Sequence, residues 1–183
     1  MTKKIAVILA DGFEEIEAVV PSDVLKRLGC EVIHAGAVSK TVTGAHGFRI
    51  EAACTLKELD PDFLDAVFLP GGLPGATNLR DNPEVIELLR KLHAEGKILS
   101  AICAAPIVLH KAGVTAGRRI TGYPGSEKMA PGLEYTGARA ENDRGIVTGK
   151  GPGASFDFAF ALAEALGMEK EKLQQLKLQM FVL

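Results

Sequence analysis

The chain has 183 residues, of which 47% are hydrophobic and 24% are charged, and its formal net charge at pH 7 is −2. This length and balance are typical of one globular domain, here expected to span 1–183, and they offer no basic surface for nucleic acid or an anionic membrane. The three cysteines are too widely spaced for a disulfide framework or a CxxC metal site: Cys30, Cys54 and Cys103. No apolar run is long enough for a membrane span or a secretory signal, so we expect a reducing, cytoplasmic location.

Short apolar runs alternate with helical patterns along the chain, which predicts a mostly parallel sheet covered by helices on both faces. The predicted strands are 4–10, 31–37, 65–69, 97–100, 119–121, 134–138 and 145–148. The predicted helices are 14–28, 83–95, 107–112, 155–166 and 169–179. Segment 39–50, which contains Gly44 and Gly47, is predicted to form a small β-hairpin insertion, and Pro21 is expected to kink or divide the first helix.

The segment 101–106 has the order of a strand, a sharp turn and a helix, with Cys103 at the turn. Ala101 and Ala105, two positions either side of the cysteine, are small enough for the tight backbone of a strand-to-helix elbow. A thiol placed there projects from the carboxyl edge of a sheet near a helix N-terminus, which favours its ionised form. We therefore interpret Cys103 as a reactive nucleophile. The alternative is that it is a small hydrophobic core residue.

Two carboxylates follow the first predicted strand. Glu14 and Glu17 are three residues apart, so they share one face of the first helical turn, where acidic residues also favour the helix dipole without any further role. Glu17 lies among apolar residues, and burial would raise the pKa of its carboxyl. A carboxyl that stays protonated can donate a hydrogen bond to a neighbouring thiolate, so Glu17 is a candidate partner for Cys103 that requires no histidine.

The turn of Pro70, Gly71 and Gly72 follows a buried strand and offers backbone amides that no side chain obstructs. If this turn meets the elbow, the amides of Gly72 and Ala104 would form an oxyanion hole for a carbonyl under attack. The structural alternative is an ordinary turn at the end of a strand.

Four segments in register resemble the ThiJ/PfpI superfamily over essentially the whole chain: DGFEEIE (11–17), FLPGG (68–72), AICAAP (101–106) and GPGASF (151–156). Within it, the chain is similar to the branch that contains the parkinsonism-associated deglycase and the YajL chaperone. The resemblance implies a flavodoxin-like three-layer α/β sandwich that forms a homodimer and uses no cofactor or metal.

The resemblance also implies roles for individual residues. It makes Cys103 the nucleophile and an oxidation-sensitive thiol, Glu17 its protonated partner, Glu14 a pocket carboxylate, and Gly72 and Ala104 amide donors. The implied activities are cofactor-free conversion of methylglyoxal to lactate, repair of early glycation adducts and chaperoning under oxidative stress. The leading hypothesis is a cysteine enzyme acting on small reactive carbonyls or glycated groups, and the alternative is a redox sensor or stress chaperone without turnover.

Two positions depart from related sequences. The protease branch carries histidine directly after the nucleophile, and Ala104 stands there in this chain, which disfavours a third reading as a cysteine hydrolase or peptidase. The human parkinsonism-associated deglycase has histidine before a proline near the pocket, where this chain has Tyr123. Tyrosine is a poor proton shuttle near neutral pH, and the alternative is that Tyr123 is a packing residue. His46 in the hairpin is expected to be a surface residue or to reach across a dimer interface.

The C-terminal residues 180–183 are all apolar, and they follow a predicted helix. They would expose hydrophobic surface unless they dock on the body of the protein or on a second copy. The tail therefore favours a homodimer.

Overall fold

The computed structural model describes residues 2–182. Its strands, in chain order, are β1 (Lys4–Leu9), β2 (Glu31–Gly36), β3 (Thr41–Thr43), β4 (Arg49–Glu51), β5 (Cys54–Thr55), β6 (Ala66–Leu69), β7 (Ile98–Ile102), β8 (Ala140–Asp143) and β9 (Ile146–Gly149). Seven of them form one sheet in the order β5-β2-β1-β6-β7-β9-β8, in which all neighbours are parallel except β8 and β9. Strands β3 and β4 form a separate antiparallel hairpin, as predicted.

Helices cover both faces of the sheet. They are α1 (Glu15–Arg27), α2 (Gly75–Arg80), α3 (Pro83–Ala94), α4 (Pro106–Ala112), α5 (Ser155–Ala165) and α6 (Lys170–Gln179). Alternate residues of β1 enter opposite cores: Ile5, Val7 and Leu9 pack with α1 and α5, and Ala6 and Ile8 pack with α3 and α4. The predicted flavodoxin-like three-layer α/β fold, with its small hairpin insertion, is therefore confirmed.

Pro21 was expected to kink or divide the first helix, and the division is wrong. Helix α1 is continuous from Glu15 to Arg27, with Pro21 buried inside it. A proline removes one backbone hydrogen bond. Burial of Ala18, Val24 and Leu25 in the core against α5 holds the helix together across that position, and burial of this kind routinely overrides local propensity.

The predictions of strands at 119–121 and 134–138 are also wrong. These segments meet only in an isolated bridge between Ile120 and Tyr135. The strand on the outer side of β9 is instead β8. Its sequence Ala-Glu-Asn-Asp lacks the apolar alternation of a half-buried strand because β8 lies at the edge of the sheet. The six-residue helix α2 was missed as well, since Pro74 and Gly75 at its start are typical of a turn.

The C-terminal tail is partly docked on the protein. Met180 and Val182 pack against the core beside α5, whereas Leu178 and Phe181 are exposed. The predicted contribution of Leu183 lies outside the described residues. Within residues 2–182, no helix combines the length and the apolar character needed to cross a membrane.

The strand order determines where the predicted functional segments meet. Strands β1, β6 and β7 are neighbours at the centre of the sheet. The chain first adds β2 and β5 on one side of β1 and then adds β6 and β7 on the other side, so the direction of strand addition reverses between β1 and β6. Ligands of open parallel sheets bind outside the carboxyl ends of the strands at such a switch point. The segments that carry Glu17, Gly71 and Cys103 leave these three strands at that edge.

Candidate active site

Cys103 lies at the predicted elbow between β7 and α4. Its φ angle is 63°, in the left-handed region that is rare for residues other than glycine and costs about 1–2 kcal/mol. The turn is held by two backbone hydrogen bonds, from the Cys103 amide to the Gly149 carbonyl at 2.9 Å and from the Ala105 amide to the Ile102 carbonyl at 3.0 Å. The residue is only 8% exposed. The elbow therefore holds a strained, nearly buried thiol at the edge of the sheet.

Gly71 brings the carboxyl of Glu17 close to this thiol. Its amide donates a hydrogen bond to Glu17 Oε2 at 2.8 Å. A Cβ atom on Gly71 would lie 2.7 Å from Cys103 Cβ and 2.7 Å from Glu17 Oε2. Since real Cβ atoms do not approach heavy atoms so closely, only glycine at this position allows the thiol and the carboxyl to share the space.

Glu17 is completely buried on α1. Burial is the main cause that raises the pKa of its carboxyl to about 7, and the charge of Glu14 adds to the shift. The Cys103 side chain and the Gly71 amide act in the opposite direction. Oxygen Oε1 of Glu17 has no hydrogen-bond partner among residues 2–182, which is costly for a buried charged oxygen. These observations favour the protonated carboxyl.

Burial, followed by the negative charge of an ionised Glu17, raises the pKa of the Cys103 thiol. The backbone amides of Gly72 and Ala104 act in the opposite direction and lower the pKa of this thiol. Two negative charges in this buried space repel each other, so ionisation of either group disfavours ionisation of the other. The thiol and the carboxyl therefore behave as one coupled acid pair.

Glu14 and Tyr123 border this pair. The Glu14 amide donates to the Gly71 carbonyl at 2.9 Å, which places the residue beside the glycine turn, and its mostly buried carboxylate lies 3.7 Å from His46 Nδ1. The Tyr123 amide donates to the Cys103 carbonyl at 2.8 Å, whereas its side chain is 53% exposed and lies beside Gly151. Tyr123 is thus tied to the elbow through its backbone.

Sequence reasoning missed the contact between Glu15 and His46. Burial opposes ionisation of Glu15. Hydrogen bonds from the His46 side chain and from the backbone amides of Glu15, His46 and Phe48 nevertheless hold the pKa of the Glu15 carboxyl below its usual range. The same contact raises the pKa of His46. Possible metal-ligating atoms of Glu14, Glu15 and His46 lie within 4.8 Å of one another. Within residues 2–182, these are the residues whose spacing suits a metal ion. Nothing in the sequence signals this contact, because its partners are 31 residues apart.

The other cysteines lack these surroundings. Cys30 is buried and Cys54 is half-buried, and burial raises the pKa of both thiols. Neither cysteine has the left-handed φ angle of the elbow, and neither acts on the carboxyl of Glu17, so both are poorer candidates for the reactive thiol.

Residues 3–165 match the DJ-1/PfpI family. The chain belongs to this family. It is 38% identical over 180 residues to the Parkinson disease protein 7 homolog of Danio rerio, a match that covers 96% of this chain and 95% of the relative. It is also 38% identical over 159 residues to the glutathione-independent glyoxalase DJR-1.2 of Caenorhabditis elegans, covering 86% of this chain and 85% of that protein. The predicted family and branch are therefore confirmed.

The fold of a solved relative agrees with this assignment. The crystal structure of Drosophila melanogaster DJ-1beta superposes on this chain with a TM-score of 0.93 at 35% identity, and the match covers 100% of both chains. This DJ-1/PfpI member thus shares the complete fold of that protein.

The raised pKa of Glu17 predicts a pH dependence of stability. Folded Glu17 keeps its proton up to about pH 7, whereas an unfolded glutamate releases it near 4.5, so between these values the folded state binds more protons. The free energy of unfolding should fall as pH rises through this interval, by up to about 1.4 kcal/mol per pH unit.

Denaturant unfolding of Cys103→Ala, in which no thiol titrates at the site, measures this slope. Adding Glu17→Gln to the same background should remove the part of the slope that comes from Glu17, because glutamine has no proton to release. Parallel curves for the two variants would show that Glu17 titrates normally.

Proposed function

We propose that this protein is a cofactor-independent cysteine enzyme that converts small reactive carbonyls, with methylglyoxal as substrate and lactate as product. The observation that carries the proposal is the juxtaposition of a strained thiol, Cys103, with a buried carboxyl, Glu17, across Gly71. Support comes also from the C. elegans relative, which is named a glutathione-independent glyoxalase. An activity of the deglycase type, on early glycation adducts, would use the same groups on a larger substrate.

In the reactive state, the shared proton rests on Glu17 and the negative charge on Cys103. The amides of Gly72 and Ala104 and the proton of Glu17 Oε1 then provide three donors to the sulfur, and the buried Oε1 atom gains the partner that it otherwise lacks. The opposite arrangement leaves the buried carboxylate with two donors, the Gly71 amide and the Cys103 thiol. The three donors are the reason for assigning the charge to sulfur.

Catalysis begins when the thiolate attacks the aldehyde carbon of methylglyoxal. The carbonyl electron pair moves to oxygen, which is bound by the amides of Gly72 and Ala104 and takes the proton of Glu17, so a hemithioacetal forms. The Glu17 carboxylate then removes the hydrogen of the former aldehyde carbon as a proton and returns a proton to the neighbouring carbon, while the hydroxyl proton of the hemithioacetal passes to the ketone oxygen. The ketone thus becomes an alcohol and the hemithioacetal a thioester. Water hydrolyses the thioester, releasing lactate and restoring the thiol and carboxyl pair with its one proton.

This mechanism predicts that the purified protein forms lactate from methylglyoxal without glutathione. Cys103→Ala should lose activity by about 10²-fold or more, since it removes the nucleophile, and Glu17→Gln should lose a comparable factor because it removes the proton carrier. Cys54→Ala is the matched control and should retain wild-type turnover. Lactate formation that is equal in the wild-type protein and Cys103→Ala would refute the enzyme.

A redox sensor without turnover is the second candidate. The same unpartnered Oε1 of Glu17 that would donate to a thiolate would, when protonated, donate to an oxygen of oxidised sulfur. A thiol that must stay reduced until challenged fits the proposed cytoplasmic location.

The sensor proposal predicts that peroxide oxidises Cys103 before Cys30 and Cys54. Peptide mass spectrometry after graded peroxide treatment measures the order, and the wild-type protein should gain oxygen at Cys103 first. Glu17→Gln should slow this reaction selectively. Earlier oxidation of the more exposed Cys54 would eliminate the sensor.

A peptidase of the cysteine–histidine type finds no support. The residue after the nucleophile is the buried Ala104, and His34 and His110 are hydrogen-bonded to Ser22 and Thr115. No histidine of the described chain is hydrogen-bonded to Cys103.

We also propose that the protein is a homodimer. Ile16 and Val19 are 49% and 51% exposed on α1, and Leu178 and Phe181 are exposed at the C-terminus, so apolar surface remains uncovered in one copy. Light scattering should give twice the mass of 19.4 kDa, and Val19→Glu should shift the mass toward that of one chain. A monomer at all accessible concentrations would contradict the proposal.

A further inference from the structure

We propose that Glu15 is a positioning residue, which ties the tip of the β3–β4 hairpin to the first turn of α1 and thereby fixes Glu14 and Glu17 beside Cys103. This inference rests on the proposed roles of Cys103 and Glu17. Glu15 itself does not touch the reacting atoms, and it acts through its neighbours Glu14 and Glu17.

The Glu15 carboxylate is bound by groups from two elements. Oxygen Oε1 accepts hydrogen bonds from the amides of His46 at 2.8 Å and Phe48 at 3.4 Å, and Oε2 lies 2.9 Å from His46 Nδ1. The amide of Glu15, at the N-terminus of α1, also acts on this carboxylate. A carboxylate held by amides of both partners joins the hairpin to the positive end of the helix.

The hairpin depends on such contacts for its position. Its strands are three residues each and pair only with one another, and an isolated two-stranded hairpin is marginally stable at best. It is also docked by backbone bonds at 2.8 Å, from the Gly12 amide to the Thr43 carbonyl and from the Ala45 amide to the Phe13 carbonyl. The hairpin is thus held by the segment that leads into α1. Glu15, in the first turn of α1, makes the contact nearest the helix.

The fit around this carboxylate is close. A Cβ atom on Gly44 would lie 2.3 Å from Glu15 Oε1, so the carboxylate can occupy its observed position only because Gly44 has no side chain. Gly44 also forms a bridge with Phe13, two residues before Glu15. A larger residue at position 44 would displace the Glu15 carboxylate from the amides that bind it and leave its charge unchanged.

The first turn of α1 is therefore held from two sides. On the sheet side, the Glu14 amide binds the Gly71 carbonyl and Glu17 Oε2 binds the Gly71 amide. On the hairpin side, Glu15, between these two residues in sequence, is bound by the His46 and Phe48 amides. Release of the second side would allow the turn to shift, and with it the distance between the carboxyl of Glu17 and the sulfur of Cys103.

The test compares the full-length protein with Glu15→Gln and Gly44→Ala. Two quantities are measured: hydrogen exchange of segment 44–48, and the pH midpoint for alkylation of Cys103 by iodoacetamide. Both variants should accelerate exchange in the hairpin and move the midpoint in the same direction by about 0.5–1 pH unit. Gly44→Ala keeps the charge of Glu15, so a shift in this variant cannot come from lost charge.

Glu58→Gln is the matched control. Glu58 also accepts a backbone hydrogen bond, from the Thr55 amide at 2.8 Å, but on a different turn, and this variant should keep the wild-type midpoint. Faster hairpin exchange with an unchanged Cys103 midpoint in Gly44→Ala would overturn the proposal and leave Glu15 a purely structural contact. Unchanged exchange in both variants would overturn it as well. Alkylation of Cys103 requires no turnover. The absence of lactate formation would therefore refute the proposed enzymatic activity without deciding the role of Glu15.

Discussion

The site depends on one electrostatic constraint: the space between Cys103 and Glu17 cannot accommodate two negative charges. The carboxyl is completely buried and the thiol nearly so, and burial raises the pKa of both. Because ionisation of either group raises the pKa of the other, the pair carries at most one negative charge near neutral pH, and loss of charge by one member allows the other to carry it. The location of that proton decides whether the protein presents an inert thiol or a nucleophile.

The fold supplies this constraint through its topology. Strands β1, β6 and β7 are adjacent in the sheet, so the segments after them deliver Glu17, Gly71 and Cys103 to one place. Each segment also imposes a local demand: a left-handed φ angle at Cys103, and the absence of a side chain at Gly71. Local strain of about 1–2 kcal/mol at the elbow persists because the surrounding core is closely packed and holds it.

Much of this arrangement could be predicted from the sequence, and the reasons for the failures are physical. Apolar runs and small residues around Cys103 sufficed for the central strands and the elbow, because burial imposes strong patterns there. Strand β8 was not predicted, because a strand at the edge of a sheet does not need the apolar alternation of a half-buried strand. The contact between Glu15 and His46 could not be foreseen, since it depends on the register of a short hairpin and on where that hairpin docks. The sequence pointed to Glu17 through its apolar neighbours, but not to the unpartnered oxygen that favours its protonation.

The most direct test of where the proton lies is an ultraviolet titration of the thiolate in the wild-type protein and in Glu17→Leu, with the spectrum of Cys103→Ala subtracted. If protonated Glu17 stabilises the Cys103 thiolate, leucine removes a donor and the thiol midpoint rises. If Glu17 carries the charge instead, leucine removes a repelling anion and the midpoint falls. We expect a rise. A fall would show that Glu17, and not Cys103, carries the negative charge.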